Sequence, residues 1–246
     1  MEMRKGQSDG EAGTDSDPIR SRLVDEAYRI ISQSGVAALT VRGLAAASGV
    51  STMAVYTRFG SVGAVAGAVC ERGFTEFAEV LESFAASDDP VADLQLLGLA
   101  YLDFATAHPQ LYTLMFQHTS PEWDELRRSN LVVEGRPTDS PAGRRAFEAM
   151  MATLQRGVDA DGGNLLLMAG EVWSAVHGLA MLSIAGHLSG AHDLVAESLL
   201  VTLAVGRGVD RKTARAGLQA AKDRLAAGGL TPPRAAAPPV RAPSDT

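Results

Sequence analysis

The stretch LTVRGLAAASGVSTMAVYTRFGS, residues 39–61, contains two short helical segments joined by a tight turn. Thr40 and Ser51 are good N-cap residues, because their hydroxyl oxygens accept hydrogen bonds from the first free backbone N–H groups of a helix. Ala45 and Gly49 stand four apart, which suits a small residue where two helices cross and a glycine that can adopt positive φ. The spacing predicts a second helix from Thr40 to Gly49 and a third between Ser51 and Gly60.

Helix start and stop signals also occur on both sides of this stretch. Apolar residues at helical spacing predict a first helix from about Ile19 to Ser34, with Gly35 as its stop. Ser61 is expected to cap a long fourth helix that runs to about Ala86. Further helix starts are predicted at Asp89-Pro90, His108-Pro109, Ser140-Pro141, Asn164 and about Ala191, and DRKTARAGLQAAKDRLAA (210–227) predicts a tenth helix. No convincing alternating strand pattern occurs, so we expect an all-α fold.

The composition divides the chain into four parts. Residues 1–17 are polar, and residues 228–246 are rich in proline and alanine, so both are expected to be disordered tails. We expect one helical domain over 18–66 and a larger one over 67–227. The N-terminus lacks the apolar core of a secretory signal, and a single cysteine excludes an internal disulfide framework, so we expect a cytoplasmic protein.

The outer face of the predicted third helix has side chains that suit DNA. Hydroxyl groups and tyrosine can donate to phosphate oxygens, and arginine can contact phosphate or guanine. Free N–H groups at a helix N-terminus also accept phosphate. Two capped short helices nevertheless occur in helical proteins that do not bind DNA, and the turn alone does not separate the two cases. The candidate DNA-binding residues are Thr40, Arg42, Ser51, Thr52, Met53, Tyr56, Thr57, Arg58 and Ser61.

The charge distribution favours DNA binding at one end of the molecule. Residues 18–66 contain five arginines against Asp25 and Glu26, a balance of +3, whereas the whole chain has −7, which leaves −10 elsewhere. Phosphate would attract the first part and repel the second. The charges therefore predict a single docking face.

These residues resemble the DNA-binding segment of the TetR/AcrR family of bacterial regulators. The resemblance lies in a threonine-capped second helix, the A-x-x-x-G-V-S pattern over 45–51, and Tyr56 and Phe59 three apart at the end of the third helix. It implies a homodimer with a three-helix DNA-binding end and a larger helical domain that binds a small effector. A family lysine near the start of the fourth helix is missing, and Val62 stands in that region. We therefore expect weaker non-specific DNA affinity than in a typical member.

The second half of the chain has a resemblance of its own. WSAVHGLAML (173–182) is similar to the Trp-x-x-x-His-Gly signature of one C-terminal subset of the same family. The family dimerises through its last two long helices, so the resemblance implies an interface on the eighth and ninth helices. The alternative is that this face packs within one chain. The candidate interface residues are Ala175, Gly178, Leu182, Ala185, Leu199 and Leu203.

The apolar run 164–188 is long enough to cross a membrane, but Glu171 and His177 interrupt it. We interpret it as a helix buried on several sides, with a membrane span as the alternative and no membrane partner expected. A second face of this helix could line an apolar effector pocket with residues of the fifth and seventh helices, although, residue for residue, a plain core fits the pattern better than a pocket does. The candidate effector residues are Tyr101, Phe104, Phe147, Met150, Met151, Leu154, Trp173, His177 and Met181.

The sequence offers little support for an enzyme. The five histidines form no His-x-x-x-His or Glu-x-x-His pair, and Cys70 has no base nearby in sequence, so we expect no metal, no cofactor and no catalytic residue. The sequence predicts a TetR-like repressor that binds a palindromic operator as a homodimer and is released by a small, apolar effector. The main rival is a helical protein that binds a small molecule but no longer regulates DNA, and an all-α enzyme is a weaker rival.

Overall fold

The computed structural model describes residues 17–117, 140–157 and 164–228, and these residues form ten α-helices. The predicted tails, apart from Asp17 and Gly228, and the polar stretch 118–139 lie outside the described residues. The helices are α1 (Pro18–Ser34), α2 (Val41–Ala47), α3 (Thr52–Phe59), α4 (Val62–Glu82), α5 (Pro90–Ala107), α6 (Pro109–Gln117), α7 (Pro141–Gly157), α8 (Leu165–Ile184), α9 (His192–Val205) and α10 (Arg211–Gly228), with a 3₁₀ turn at Val36–Ala38.

Most of the predicted helix starts are confirmed, because local capping chemistry decides them. Asp89 accepts hydrogen bonds from the backbone N–H groups of Val91 and Ala92 at the start of α5, with Pro90 in the first helical position. Asn164 accepts from the Leu167 N–H at the start of α8. The predicted all-α fold is confirmed for the described residues.

The predicted end of the fourth helix is wrong, since α4 stops at Glu82 rather than near Ala86. Beyond it, the carbonyl groups of Ala85 and Ser87 accept hydrogen bonds from the arginine side chains of Arg224 and Arg156. These carbonyls are therefore satisfied by tertiary contacts instead of by a continued helix. The second helix also ends earlier than expected, at Ala47, with Ser48 as its C-cap.

A small core at the N-terminal end holds α1, α2 and α3 together. Leu44 and Val55 are completely buried, and Val50 in the turn packs against the core that they belong to. Leu23, Ala27 and Ile31 bury one side of α1 against the same core. The larger core lies between α4, α5, α6, α7 and α8 and shares α4 with the small one.

Candidate DNA-binding face and ligand cavity

The turn between α2 and α3 has the geometry that the sequence predicts. Gly49 has a φ of 66°, a value that side chains disfavour, and the N–H of Val50 donates to the carbonyl of Ala45 at 2.9 Å. Ala45 is buried where the two helices cross. The crossing leaves the opposite side of α3 facing outward.

Three hydroxyl residues fix the starts of the helices at this end. The Oγ1 of Thr40 accepts from the Gly43 N–H at 3.1 Å, the Oγ of Ser51 from the Ala54 N–H at 3.2 Å, and the Oγ of Ser61 from the Ala64 N–H at 3.0 Å. The three predicted N-caps are confirmed. Each cap satisfies one backbone donor and leaves others of the first helical turn facing outward.

The exposed face of α3 carries a thioether, a phenol and two hydroxyl groups. Met53 is 69% exposed and Tyr56 is 51% exposed, which is unusual for side chains of this size. Thr52 and Thr57 are also exposed, and the Thr57 hydroxyl donates to the Met53 carbonyl at 2.8 Å. Arg42 of α2 is exposed as well. This face has the size and chemistry of a helix that enters a DNA groove.

Arg58 does not lie on this exposed face, in contrast to the sequence-based expectation. Its Nε donates to a carboxylate oxygen of Asp17 at 2.7 Å, and its side chain is 24% exposed. The same carboxylate caps α1 by accepting from the Ile19 N–H at 3.0 Å. Sequence spacing places Arg58 correctly on α3, but a partner 41 residues away turns its side chain back toward α1.

A polar junction connects α1 of the small domain to α4. The Tyr28 hydroxyl donates to Glu76 at 2.6 Å, and Arg72 bridges Glu76 at 2.9 Å and Asp25 at 2.7 Å. The Arg72 guanidinium also lies 4.2 Å from the centre of the Tyr28 ring. Burial and hydrogen bonding to Glu76 raise the pKa of Tyr28, so its hydroxyl stays protonated as a donor. The junction therefore ties α1 to α4 through the Tyr28–Glu76 and Arg72–Asp25 hydrogen bonds.

A cavity of about 250 Å³ lies in the larger domain, between α4, α5, α6, α7 and α8. Its wall is almost entirely apolar, and among the described lining residues none is charged. The phenol of Tyr101 and the indole of Trp173 supply polar groups in a wall that is otherwise hydrocarbon and sulfur. The aromatic lining residues are Phe74, Phe77, Tyr101, Phe116, Phe147 and Trp173.

A neutral polar cluster lies behind this wall and joins α5, α6 and α8. The hydroxyl oxygens of Tyr101 and Tyr112 are 2.6 Å apart, and the Tyr112 hydroxyl is 2.7 Å from Nδ1 of His177. Tyr101 itself is 3.2 Å from the same nitrogen. Burial lowers the pKa of His177 and raises the pKa values of both tyrosines, so all three groups are neutral near pH 7.

Family models match both parts of the chain. The model described as bacterial regulatory proteins, tetR family, matches residues 23–69, which include α2, α3 and the turn between them. The model described as a tetracyclin repressor-like C-terminal domain matches residues 94–205, which include most of the cavity wall. Together they cover more than half of the chain. The protein belongs to the TetR family.

Several solved structures are similar to this TetR-family chain. A protein of unknown function from Rhodococcus sp. RHA1 is 27% identical, with a TM-score of 0.61 over 80% of this chain and 98% of that one. The transcriptional regulator SCO7222, a TetR from Streptomyces coelicolor, is 21% identical, with a TM-score of 0.49 over 85% and 97% of the two chains. The TetR-family regulator PfmR from Thermus thermophilus is 23% identical, with a TM-score of 0.48 over 65% and 85%. Among curated proteins, none matches.

The structure brings some of the predicted effector residues to the cavity and leaves others behind it. Tyr101, Phe147, Met150 and Trp173 line the cavity. The remaining five do not line it and belong to the packing and the polar cluster around it: Phe104, Met151, Leu154, His177 and Met181. Trp173, His177 and Met181 lie four residues apart on α8, and the sequence-based expectation was that all three face the pocket. Instead Val172 and Val176 line it together with Trp173.

The sequence analysis did not identify the residues of α4 and α6 that line the cavity. Phe74, Phe77 and Leu81 of α4 form one wall, and Met115 and Phe116 of α6 form part of another. The spacing of Phe74, Phe77 and Leu81 marks one face of a helix, so it offered a signal for a shared apolar surface. It did not tell whether that surface faces a core or a cavity.

In the single chain, helix α8 is exposed along one side. The prediction that this helix is buried on several sides is therefore wrong for the isolated chain. Leu167 is 58% exposed, Leu182 is 48% exposed, and Ala185 is also exposed. A Cβ atom added to Gly178 would meet no atom of the described residues within 4 Å. The interpretation in which this face packs within one chain is therefore not what the structure shows.

The neighbouring helix α9 extends the exposed surface, but through other residues than those predicted. Leu194 is 73% exposed and Val195 is 36% exposed, whereas Leu199 and Leu203 are partly buried against the core. Ala175 of α8 is also partly buried. The exposed large apolar side chains of α8 and α9 are therefore Leu167, Leu182, Leu194 and Val195.

Length and composition mark α8 as a helix that could cross a membrane, and α3 with α4 pass the same test only as a pair bent by 64°. In α8, 28% of the apolar window is buried. Within the described residues, no group of three or more histidine, cysteine, aspartate or glutamate side chains is placed to hold a metal ion. Cys70 is buried. TetR-family proteins are transcriptional regulators.

Proposed function

We propose that this TetR-family regulator is a cytoplasmic homodimeric repressor that binds a palindromic operator and is released by a small apolar effector. The observation that carries the proposal is one helix, α4, that begins beside the exposed face of α3 and lines the cavity with Phe74, Phe77 and Leu81. A ligand in the cavity can therefore act on the DNA-binding end through a single rigid element. Residues 18–66 then form the DNA-binding domain, and residues 67–227 form the domain that binds the effector and dimerises.

We infer that Thr52, Met53, Tyr56 and Thr57 contact bases and phosphates, and that Arg42 contacts phosphate. The remaining N–H groups in the first turns of the helices that Thr40, Ser51 and Ser61 cap add further phosphate contacts. Val62 supplies no charge at the start of α4, so we expect weaker non-specific binding than in members with a lysine there. Arg58 contributes once DNA competes with Asp17 for its guanidinium.

Dimerisation through α8 and α9 would cover their exposed apolar surface. Gly178 lies near the middle of the exposed side of α8, where the absence of a side chain allows two helices to approach closely. The residues of the Trp-x-x-x-His-Gly motif then serve three purposes: Trp173 lines the cavity, His177 binds the tyrosines, and Gly178 faces the partner. This supports the resemblance to the subset that carries the motif.

Effector binding would act through α6 as well as α4. Met115 and Phe116 of α6 line the cavity, and a Cβ atom on Gly73 of α4 would lie 2.9 Å from Leu111 and Met115. At the other end of α6, the Gln110 side chain packs against Gly35 at the end of α1. We infer that the effector favours one of two arrangements of these helices and so changes the spacing of the two DNA-binding ends.

The first test is selection from a pool of randomised duplex DNA, with the winning sequence measured at several salt concentrations. We expect a palindrome with half-sites about 34–36 Å apart and affinity that falls steeply with salt. The Arg42→Ala variant should reduce the slope of log K against log salt by about 1. Arg215→Ala, an equal charge change on an exposed site of α10, is the matched control and should leave the slope unchanged.

Tyr56→Ala should weaken binding to all DNA sequences about equally, because we assign Tyr56 to positioning on the backbone. A changed sequence preference would contradict that assignment. No enrichment from a folded dimer at low salt would instead favour the rival, a helical binding protein that does not regulate DNA.

Gly178→Leu tests the dimer, since a Cβ atom added there meets no described residue within 4 Å and leucine favours a helix more than glycine does. We expect a folded monomer by sedimentation analysis, with strongly reduced operator binding. Glu148→Leu, which adds a leucine to an exposed site of α7, should stay dimeric. A dimeric Gly178→Leu variant would contradict the interface.

A further inference from the structure

We infer that α3 recognises DNA through methyl groups, with Met53 in contact with the 5-methyl group of a thymine in each half-site of the operator. This rests on the proposed function in one respect, that α3 enters the major groove of DNA. The inference itself follows from the side chains that α3 presents and from the hydrogen bonds that already engage two of them.

Helix α3 has few side chains that can form the common hydrogen bonds to bases. Bidentate hydrogen bonds to guanine come from arginine or lysine, and those to adenine come from asparagine or glutamine. The eight residues of α3, TMAVYTRF, include only one side chain of these kinds, Arg58. Its Nε donates to Asp17 at 2.7 Å, and the same carboxylate accepts from the N–H of Ile19 at the start of α1. In this arrangement α3 offers no bidentate contact to a purine.

A hydrogen bond within α3 engages a second polar side chain. The Thr57 hydroxyl donates to the Met53 carbonyl at 2.8 Å. While this bond holds, Thr57 has no proton to donate to a base, and it still has a methyl group. Met53 and Thr57 stand four residues apart and therefore share one face of the helix. Both residues are exposed, so this face of α3 has an apolar edge made of two methyl groups and a sulfur atom.

Met53 has the position and the exposure to contact a base. It is the second residue of α3, and the N-terminal residues of a recognition helix are those that contact base edges. Its exposed fraction is 69%, against 51% for Tyr56, the other large exposed side chain of this helix. Contact with DNA can therefore bury most of the Met53 side chain.

The thymine methyl group is the part of a base that suits a thioether. It is the apolar group that distinguishes thymine on the major-groove edges of the four bases. Next to a base nitrogen or oxygen, Met53 would displace water without replacing its hydrogen bond. Against the methyl group neither side loses a hydrogen bond, and burial of one methyl group strengthens binding by about 4-fold. The chemistry of the exposed face therefore favours thymine opposite Met53.

Deoxyuridine tests this inference, because it pairs as thymidine does but lacks the methyl group. In the operator obtained from randomised duplex DNA, each symmetric pair of thymines is replaced in turn, and the affinity of the full chain is measured. We expect one pair whose replacement weakens binding roughly 10- to 20-fold, since two contacts of about 4-fold combine. At the same position, 5-methylcytosine should bind more tightly than cytosine, because its methyl group takes the same place in the groove.

The Met53→Ala variant assigns the methyl contact to this side chain. Since Met53 is exposed, the variant should fold, and it should bind the thymine and deoxyuridine operators equally. Met53→Leu keeps a long apolar side chain and should retain most of the preference for thymine. Gln155→Ala shortens an unbranched side chain at an exposed site of α7, and as the matched control it should retain the full preference.

Three results would overturn the inference: half-sites without thymine, equal affinity for thymine and deoxyuridine at every position, or a full thymine preference in Met53→Ala. In the last case another side chain would contact the methyl group. Failure of the proposed function looks different. An enriched palindrome that is insensitive to the methyl groups would leave the proposed function intact, whereas no enrichment from a folded dimer would contradict DNA binding and the inference with it.

Discussion

Helix α5 carries two buried polar clusters that differ in charge. Near its start, Asp93 is 5% exposed and accepts from Arg156 at 2.8 Å, from the Ser87 hydroxyl at 2.7 Å and from Arg224. Two turns further on, Tyr101 joins Tyr112 and His177 in the neutral cluster. The first ties α5 to α7 and α10, and the second ties it to α6 and α8.

The difference shows how one helix can be fixed at one end and adjustable at the other. A buried carboxylate between two guanidinium groups has one good arrangement, and losing one partner leaves uncompensated charge. Two hydroxyls and an imidazole can exchange donors and acceptors at small cost, because every arrangement remains neutral. The ionic cluster lies away from the ligand cavity, whereas Tyr101 of the neutral cluster lines it.

The largest expected effect follows from removing the charge of Asp93. Asp93→Asn keeps the shape but leaves Arg156 and Arg224 without their carboxylate, which should cost about 3 kcal/mol of the free energy of unfolding. Urea denaturation at fixed protein concentration measures it. Asp103→Asn, an exposed site on the same helix, is the control and should change stability by less than about 0.5 kcal/mol. Equal losses of stability in Asp93→Asn and Asp103→Asn would contradict a stabilising role for the ionic cluster.

The next effect is the dependence of this stabilisation on pH. Burial opposes ionisation of Asp93, but hydrogen bonds from Arg224, Ser87 and Arg156 outweigh it and lower its pKa to about 2 from an ordinary value of 3.8. The resulting stabilisation, about 2 kcal/mol, is present above pH 4 to 5 and is lost as the pH falls toward 2. The stability difference between wild type and Asp93→Asn should therefore shrink by roughly a third by pH 3. A constant difference would contradict the lowered pKa.

A smaller effect is expected when the neutral cluster loses its central hydroxyl. Tyr112→Phe leaves Tyr101 and Nδ1 of His177 at 3.2 Å, where they can still pair. We expect a loss of about 1 kcal/mol in the free energy of unfolding, since one hydrogen bond disappears and its partners re-pair. A loss as large as that of Asp93→Asn would show that the neutral cluster is as rigid as the ionic one.

The smallest effect concerns the protonation of His177. Burial lowers its pKa in the folded protein, so the unfolded chain takes up a proton first as the pH falls below about 6.5. Folding stability should therefore decrease from pH 7.5 to 5.5, and His177→Gln should decrease less. Burial also lowers the pKa of His108, but both proteins contain His108, so its contribution cancels. Parallel pH profiles would contradict a neutral, buried His177.

The sequence allowed the helices of the DNA-binding end to be predicted closely because short-range contacts decide them. Thr40, Ser51 and Ser61 each cap a helix through a backbone N–H three residues away. The end of α4 was predicted four residues too late, because Arg156 and Arg224, far along the chain, bind the carbonyls beyond it. No local pattern contains that information.

The same distinction explains the candidate sites. The exposed face of α3 follows from its period and from the buried Val55, so most of its residues were predicted, but the pairing of Arg58 with Asp17 was not. The cavity depends on how five helices cross. Apolar spacing predicted Tyr101, Phe147 and Trp173 but gave no means to tell a lining residue from one such as Phe104 that lies behind it.

Helix α4 also has a mechanical consequence. Its crossing with α6 at Gly73 lies twelve residues from Ser61, which is roughly 18 Å along the helix axis. If that crossing acts as a pivot, a tilt of only about 5° displaces the start of α4, and α1 joined to it through Arg72, by roughly 1.5 Å at this rise per residue. Two such arms in a symmetric dimer would change the separation of the recognition helices by about 3 Å, against the roughly 34–36 Å between successive major grooves. On that geometry, a small tilt of α4 near the cavity would be enough to put a pair of recognition helices out of step with the DNA.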